Sequence, residues 1–204
     1  MDIDSTFRVV LLLVLAFGIG WAGYHRVRAQ RAGGPVSRAG EGKLIFTILR
    51  LSGLGAWGVV IAYIISPRSV ALASMPLPDS VRWGGLVLMI AGFAWLAWMF
   101  RALGLNVTDT VAARPNGTLV TSGPYRYVRH PMYVGLIPIL GGLALLTTNW
   151  AVAMFGAIAF VTLVARTRIE ERHLLARYGD AYRDYMRRTG GFVPRFGRGQ
   201  APAS

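Results

Sequence analysis

Five stretches of almost uninterrupted apolar residues divide the chain, and polar residues collect between them. These stretches cover residues 6–24, 44–65, 81–100, 132–146 and 150–165. A membrane-spanning helix needs about 20 mainly apolar residues, with a range of about 17–25. The pattern therefore predicts an all-α, polytopic membrane protein with about five transmembrane helices.

The last two stretches are short and are separated only by Thr147, Thr148 and Asn149. This spacing predicts a tight helical hairpin whose two open ends return to the same membrane face. The fifth helix is expected to continue beyond the membrane into a helical C-terminal region. We expect a single integral-membrane domain over residues 1–204. Its first part, 1–100, would contain three spans. Its second part, 101–196, would contain a catalytic loop, the hairpin and the C-terminal helices, and residues 197–204 would form a tail.

Composition supports a membrane protein. Hydrophobic residues make up 54% and charged residues 15% of the chain, against about 45–50% and about 25% in soluble domains. The absence of cysteine excludes disulfides, a thiol nucleophile and a cysteine-based metal site. Asp2 and Asp4 precede the first stretch, at the place where a signal peptide carries basic residues, so we expect the stretch to be retained as a span.

The formal net charge of +13 is unevenly placed. Most arginines lie in the loop after span one, the loop after span three and the segment after span five, whereas Arg8, Arg68 and Arg82 lie on the opposite side. The positive-inside rule then predicts an outer N-terminus, with the C-terminus and the active site in the cytoplasm. We interpret the charge as a topology signal that contacts membrane lipids, and we expect no nucleic-acid partner.

Two features inside the second span have structural explanations. Gly53, Gly55 and Gly58 match the G-x-G-x-x-G fingerprint, but no strand precedes them, so we interpret them as small residues for close helix packing. Arg50 lies about two turns into this span. Either it snorkels to the interface, or it faces inward as the partner of an anion.

The densest polar run covers residues 123–133, directly before the fourth span. Pro131 suits the first position of a helix, which places His130 at the N-cap. The exposed N–H groups of that helix end, with Arg126 and Arg129 beside them, could bind a carboxylate or phosphate. Alternatively, these arginines are ordinary positive-inside residues and the nearby tyrosines form an interfacial belt.

A second polar stretch follows the fifth span. Arg166 and Glu170 are four residues apart and share a helix face, which also allows a simple surface ion pair. If the hairpin closes, both can converge with His130 and Tyr133 on one pocket. Such a pocket would offer a carboxylate, cations and aromatic faces. These groups suit a zwitterionic ligand with a further cationic centre, and S-adenosylmethionine is such a molecule.

These residues resemble the isoprenylcysteine carboxyl methyltransferase family and its phospholipid methyltransferase relatives. The matching runs are Leu-Val-Thr-Ser-Gly-Pro-Tyr at 119–125, Arg-His-Pro-Met-Tyr-Val-Gly at 129–135 and the Glu pair with its following tyrosines at 170–185. The resemblance implies an integral-membrane methyltransferase that uses S-adenosylmethionine without a Rossmann domain. It covers about the second half of the chain.

The resemblance also implies a site. The cofactor-binding residues it implies are Leu119, Val120, Tyr125, His130, Pro131, Met132, Tyr133 and Glu170. Arg166 falls on the family's substrate-binding arginine, so Arg166 and Glu170 are the implied catalytic residues. No metal is expected. The acceptor is expected to be lipophilic, with carboxyl O-methylation as the leading reaction, while a lipid amine, a fatty acid or a thiol remains open.

Two other functions fit the same pattern. A membrane reductase of the steroid-reductase type would use NADPH, whose phosphate the arginines near Tyr125 could bind. A non-enzymatic membrane scaffold or sensor would bind neither NADPH nor a methyl donor. These alternatives can be distinguished by testing whether NADPH, a methyl donor or neither stabilises the protein.

Overall fold

A computed structural model describes residues 3–33, 42–106 and 117–195. The helices are α1 (Ile3–Gly33), α2 (Lys43–Ile65), α3 (Asp79–Leu103), α4 (Pro131–Thr147), α5 (Trp150–Tyr178) and α6 (Asp180–Arg188). Short 3₁₀ turns lie at Pro67–Ala73, Gly104–Asn106 and Gly123–Arg126. Only isolated β-bridges occur among the described residues, so the all-α prediction is confirmed. The expected tail at 197–204 and the loop centre at 107–116 lie outside the described residues.

Four helices, α1, α2, α3 and α5, are long and apolar enough to cross a membrane, and α4 is a shorter apolar helix. Large apolar side chains point outward from these helices; Leu13, Val87 and Val161 are each 65% exposed. Such surfaces suit contact with lipid tails. The helices α1 and α5 extend well beyond the predicted spans. Hydropathy marks only the membrane segment, whereas helical hydrogen bonding continues past the interface.

The predicted hairpin of α4 and α5 is confirmed. Thr148 adopts a left-handed conformation with φ of 48°, which ends α4. The Asn149 side chain then caps α5, because its Oδ1 accepts hydrogen bonds from the N–H groups of Ala151 and Val152 at 3.0 and 3.3 Å. An N-cap of this kind contributes about 1 kcal/mol. The turn therefore fixes α4 beside α5.

Helices α3 and α4 approach each other along four glycines, Gly85, Gly92, Gly135 and Gly142, which we call the glycine seam. A methyl group added at Gly85 would lie 2.7 Å from the carbonyl oxygen of Gly142, and one added at Gly92 would lie 2.8 Å from that of Gly135. Only glycine permits such a backbone approach. The seam sets the position of α4, and therefore of His130 at its start.

The glycines of α2 behave differently from our expectation. A methyl group built on Gly53 or Gly58 would meet no atom within 4 Å, so close helix packing is wrong for these two positions. Gly55 does lie against another helix, since its added methyl would meet the Phe155 ring of α5 at 2.5 Å. The three glycines point in different directions around α2, and only one of these directions faces a neighbour.

Arg50 lies on the outside of α2. Its side chain is exposed, and its guanidinium carbon lies 5.9 Å from the centre of the Phe46 ring. This position favours the snorkelling interpretation over an inward-facing partner for an anion.

A buried arginine joins four helices near the hairpin turn. Arg82 of α3 is only 6% exposed. Its guanidinium donates hydrogen bonds to Asp4 Oδ1 at 2.7 Å, to Tyr63 Oη at 2.8 Å and to the Leu146 carbonyl at 3.3 Å. It also lies 3.8 Å from the centre of the Phe7 ring. Arg82 therefore has a structural role that its place among the outer-side arginines did not indicate.

Candidate active site

His130 and Tyr133 enter the site from the start of α4. The helix begins at Pro131 with His130 as its N-cap, as the sequence predicts. The Pro131 carbonyl accepts a hydrogen bond from Trp95 Nε1 at 2.7 Å, which ties this helix end to α3. His130 and Tyr133 are 3% and 2% exposed. Both side chains are therefore held inside the protein.

Glu170 of α5 meets these two side chains. Tyr133 Oη donates a hydrogen bond to Glu170 Oε2 at 3.0 Å, and His130 Nδ1 lies 3.8 Å from the same oxygen. Arg166 is half-buried and lies four residues before Glu170 on the same helix. The structure thus brings His130, Tyr133 and Glu170 together, with Arg166 one helical turn away.

The second acid of the pair, Glu171, takes a different role. Its Oε1 accepts hydrogen bonds from Arg129 Nε at 2.9 Å, from Arg129 Nη2 at 2.8 Å and from His130 Nε2 at 3.0 Å. The sequence marked Glu171 as part of an acidic pair but did not indicate this role. Adjacent helical positions point about 100° apart, so Glu170 faces Tyr133 while Glu171 faces Arg129. Glu171 orients the His130 ring.

The arrangement leaves the buried His130 Nδ1 available to a ligand. With His130 Nε2 directed at Glu171, Nδ1 has no hydrogen-bond partner among the described residues. Buried polar groups are nearly always paired. In a neutral ring whose Nε2 carries the proton, Nδ1 is an acceptor. An ammonium group placed between Nδ1 and the Glu170 carboxylate would satisfy both, which fits the amino-acid part of S-adenosylmethionine.

Tyr125 lies in the turn Gly123–Arg126, close enough to the Glu170 carboxylate to interact with its charge. Its carbonyl accepts a hydrogen bond from Tyr185 Oη at 2.6 Å, which holds the turn against α6. Burial, and secondarily the negative charge of Glu170, raise the pKa of the Tyr125 hydroxyl. Tyr125 therefore remains a neutral phenol beside the site.

The proposed anion site at Arg126 and Arg129 is not what the structure shows. Besides Glu171, the Arg129 guanidinium donates to the carbonyls of Thr189 and Met186, so its donors already serve protein acceptors. Arg126 is exposed and stacks 4.9 Å from the centre of the Tyr127 ring. Arg129, the arginine of the Arg-His-Pro run, thus stabilises the site through its contacts with Glu171 and with the backbone after α6.

The remaining cofactor-binding residues stay predictions. Leu119, Val120 and Met132 are half-buried. The segment that carries the Leu-Val pair is held by its preceding residues, since Tyr178 Oη donates to the Gly117 carbonyl at 3.0 Å. These contacts bring the segment to the end of α5, on the side of the membrane where Glu170 lies.

Glu171 gives a first testable prediction. The variant Glu171→Gln is expected to lower the free energy of unfolding by about 1–2 kcal/mol, because it removes a partly buried charge that binds Arg129 and His130. Thermal unfolding in detergent measures the loss. Asp184→Asn, at an exposed pair with Arg187, is the control and is expected to change stability little. Equal stability losses in the two variants would contradict this role of Glu171.

Comparison with known proteins indicates the family to which the chain is similar. Residues 81–181 match the phospholipid methyltransferase family. The cobalt-zinc-cadmium resistance protein CzcN of Cupriavidus metallidurans is 32% identical over 79% of this chain and 72% of its own length. The protein-S-isoprenylcysteine O-methyltransferase of Schizosaccharomyces pombe is 34% identical over 45% of this chain and 40% of its own. Among the described residues, no group of three or more His, Cys, Asp or Glu side chains is arranged to hold a metal ion.

Two further comparisons extend the range of relatives. The methanethiol S-methyltransferase of Mycobacterium tuberculosis is 39% identical over 34% of this chain and 28% of its own. The solved eukaryotic intramembrane Ras methyltransferase, isoprenylcysteine carboxyl methyltransferase, superposes with a TM-score of 0.53 at 24% identity over 74% of this chain and 53% of that one. The chain thus spans about half or less of the methyltransferases it matches.

The helical bundle and the paired acids beside the Arg-His-Pro-Met-Tyr run define a multi-pass integral-membrane protein of the methyltransferase class. The chain belongs to the isoprenylcysteine carboxyl methyltransferase and phospholipid methyltransferase family.

Proposed function

We propose that this protein is an S-adenosylmethionine-dependent methyltransferase that acts on a lipophilic acceptor. The observation that carries the proposal is the position of the half-buried Glu170 carboxylate beside the Tyr133 hydroxyl and 3.8 Å from His130 Nδ1, a buried atom with no hydrogen-bond partner among the described residues. This combination suits a ligand that carries an ammonium group. The family relationship supports a methyl donor as that ligand.

In this proposal each side chain has a physical task. Bound S-adenosylmethionine supplies a transferable methyl group on a cationic sulfonium. Glu170 and His130 would hold its ammonium group, and the aromatic rings of Tyr125 and Tyr133 would stabilise the cationic sulfonium. The half-buried Leu119, Val120 and Met132, together with the buried Pro131, complete the donor site, as the family resemblance implies. Their contribution is mainly positioning, which can supply up to about 7–11 kcal/mol of a barrier.

Arg166 is the residue that we assign to the acceptor. A guanidinium binds a carboxylate through two parallel hydrogen bonds, and Arg166 lies one helical turn from Glu170. A carboxylate acceptor needs no general base, which favours carboxyl O-methylation. A thiol acceptor, as named for the methanethiol relatives, must first lose a proton. His130 or Glu170 would then have to accept that proton.

Helix lengths support a reaction near one membrane surface. Tyr133 lies 14 residues before the end of α4, and Glu170 lies 20 residues after the start of α5. At 1.5 Å per residue these segments measure about 21 and 30 Å, so the α5 segment matches the hydrocarbon core of about 30 Å and the α4 segment is shorter than it. We therefore expect the site at one boundary of the bilayer, and the arginine distribution favours the cytoplasmic side for this boundary.

A ligand comparison tests the proposal. Thermal unfolding of the protein purified in detergent is measured with S-adenosylhomocysteine, with NADPH and with neither. We expect stabilisation by S-adenosylhomocysteine alone. Stabilisation by NADPH alone would replace the proposal with a reductase, and no effect of either would support a non-enzymatic role. Transfer of a tritiated methyl group to native membranes, followed by separation of lipids and peptides, then identifies the acceptor class.

Arg166 can be tested separately from the donor site. Arg166→Ala is expected to raise the KM for a carboxylate acceptor by about 10- to 150-fold, the range of one hydrogen bond to a charged group, and to leave S-adenosylhomocysteine affinity unchanged. The control Arg168→Ala changes an exposed arginine on a different face of α5 and is expected to alter neither quantity. An unchanged KM in the Arg166 variant would remove this residue from the acceptor site.

A further inference from the structure

A third aromatic ring joins His130 and Tyr133, and it comes from a segment that the sequence analysis did not assign. The Phe192 ring centre lies 5.4 Å from that of His130 and 6.2 Å from that of Tyr133, while the His130 and Tyr133 centres are 5.7 Å apart. His130 and Tyr133 are buried, whereas Phe192 is half-buried. Phe192 is therefore the ring of the three that has most surface left for a ligand.

Backbone hydrogen bonds set the position of this ring. Residues 189–195, which we call the C-terminal strap, follow α6 and lie along the residues before α4. The Arg129 N–H donates to the Gly190 carbonyl at 2.8 Å, and the His130 N–H donates to the Gly191 carbonyl at 3.0 Å. Phe192 is the next residue in the strap. The backbone that carries His130 thus also determines where Phe192 stands.

Side chains hold both ends of the strap. At its start, the Arg129 guanidinium donates to the carbonyls of Thr189 and Met186. At its end, Arg195 Nη1 donates to the carbonyls of Met186 and Arg187 at 3.1 and 3.0 Å. Because both ends are tied to α6, the turn between them presents Phe192 in a fixed orientation. This is the arrangement expected of a preorganised binding wall.

We propose that Phe192 contacts the methyl donor and makes the site bind the charged donor in preference to its neutral product. The inference rests on the proposed function and deepens it. An aromatic face attracts a cation within about 6 Å of its centre. The donor carries a sulfonium, whereas the product left after transfer carries a neutral thioether. A ring beside the sulfur therefore stabilises the donor more than the product, and so favours release of the product after each turnover.

The test is the ratio of two affinities measured by calorimetry in detergent. For Phe192→Leu, we expect the affinity for S-adenosylmethionine to fall about 3- to 30-fold more than the affinity for S-adenosylhomocysteine, the range of a cation–π contact. Leucine keeps an apolar contact to both ligands, so packing alone would change both affinities equally. Phe192→Trp, which has a stronger aromatic face, is expected to maintain or raise the preference for the donor. Val193→Leu, at a position that is 71% exposed, is the control.

Each outcome has a separate meaning. If the unmodified protein binds neither ligand, the proposed function fails. If it binds both, and Phe192→Leu lowers both affinities equally or changes neither, the role of Phe192 is overturned while the function stands. If Phe192→Leu does not fold, the tryptophan variant decides: a reduced preference for the donor would also overturn the inference.

Discussion

Replacing Glu170 with glutamine is expected to weaken the binding of S-adenosylhomocysteine by about 10- to 150-fold. A hydrogen bond to a charged group is worth about 1.5–3 kcal/mol, which corresponds to this range. Glutamine keeps an oxygen that can accept the 3.0 Å hydrogen bond from Tyr133, so the fold should persist while the negative charge is lost. Calorimetry in detergent measures the affinity, and the unfolding temperature of the ligand-free variant should match that of the parent.

The control for Glu170→Gln is Asp180→Asn, which removes the same charge from an exposed position of α6. Its ligand affinity should equal that of the parent protein. His130→Ala supplies independent evidence, because it removes the unpartnered Nδ1 from the other side of the expected ammonium. Unchanged affinity in both Glu170→Gln and His130→Ala would refute the pocket.

Replacing Arg82 with methionine is expected to lower the free energy of unfolding by about 2–4 kcal/mol. The substitution leaves the buried Tyr63 hydroxyl and the Leu146 carbonyl without their donor, and each such orphaned group costs about 1–3 kcal/mol. The lost ion pair with Asp4 contributes less to this loss of stability, because the Asp4 side chain is 48% exposed and stays partly hydrated. Thermal unfolding in lipid nanodiscs provides the measurement.

Arg68→Met is the matched control for Arg82, since Arg68 is exposed in the turn Pro67–Ala73 at the same end of the bundle. It should change stability by less than about 0.5 kcal/mol. S-adenosylhomocysteine affinity of the folded Arg82 variant should be unchanged, because the arginine lies at the opposite end of α3 from the site. Equal stability of the two variants would show that Arg82 does not join the helices.

Much of the site follows from local sequence rules. A short Thr-Thr-Asn turn between two apolar stretches requires an antiparallel helix pair, and this pair brings residues 130–133 near residues 166–170 without any knowledge of distant contacts. Pro131 fixes the start of α4 because its missing N–H costs nothing there. The convergence of His130, Tyr133 and Glu170 is therefore encoded within about 40 residues.

Other parts depend on packing that a sequence pattern does not contain. Periodicity shows that Glu170 and Glu171 point in different directions, but which of them faces Tyr133 depends on the rotation of α5 against α4. Phe192 is brought to the pocket by backbone hydrogen bonds between the strap and residues 129–130, and any sequence can form such bonds. The partners of Arg82 come from three other helices, at separations that no local rule connects.

The glycine seam has a consequence for how a lipid-like molecule reaches the reaction centre. Along Gly85, Gly92, Gly135 and Gly142 the two backbones are too close for even a single added methyl group, so an acyl or prenyl chain cannot slide between α3 and α4. That side of the bundle is closed at every depth covered by the four glycines. If the acceptor is lipophilic, as proposed, it must instead reach Glu170 past a different pair of helices. Bulky substitutions along that other pair would then block its entry, while the seam would still hold His130 in place.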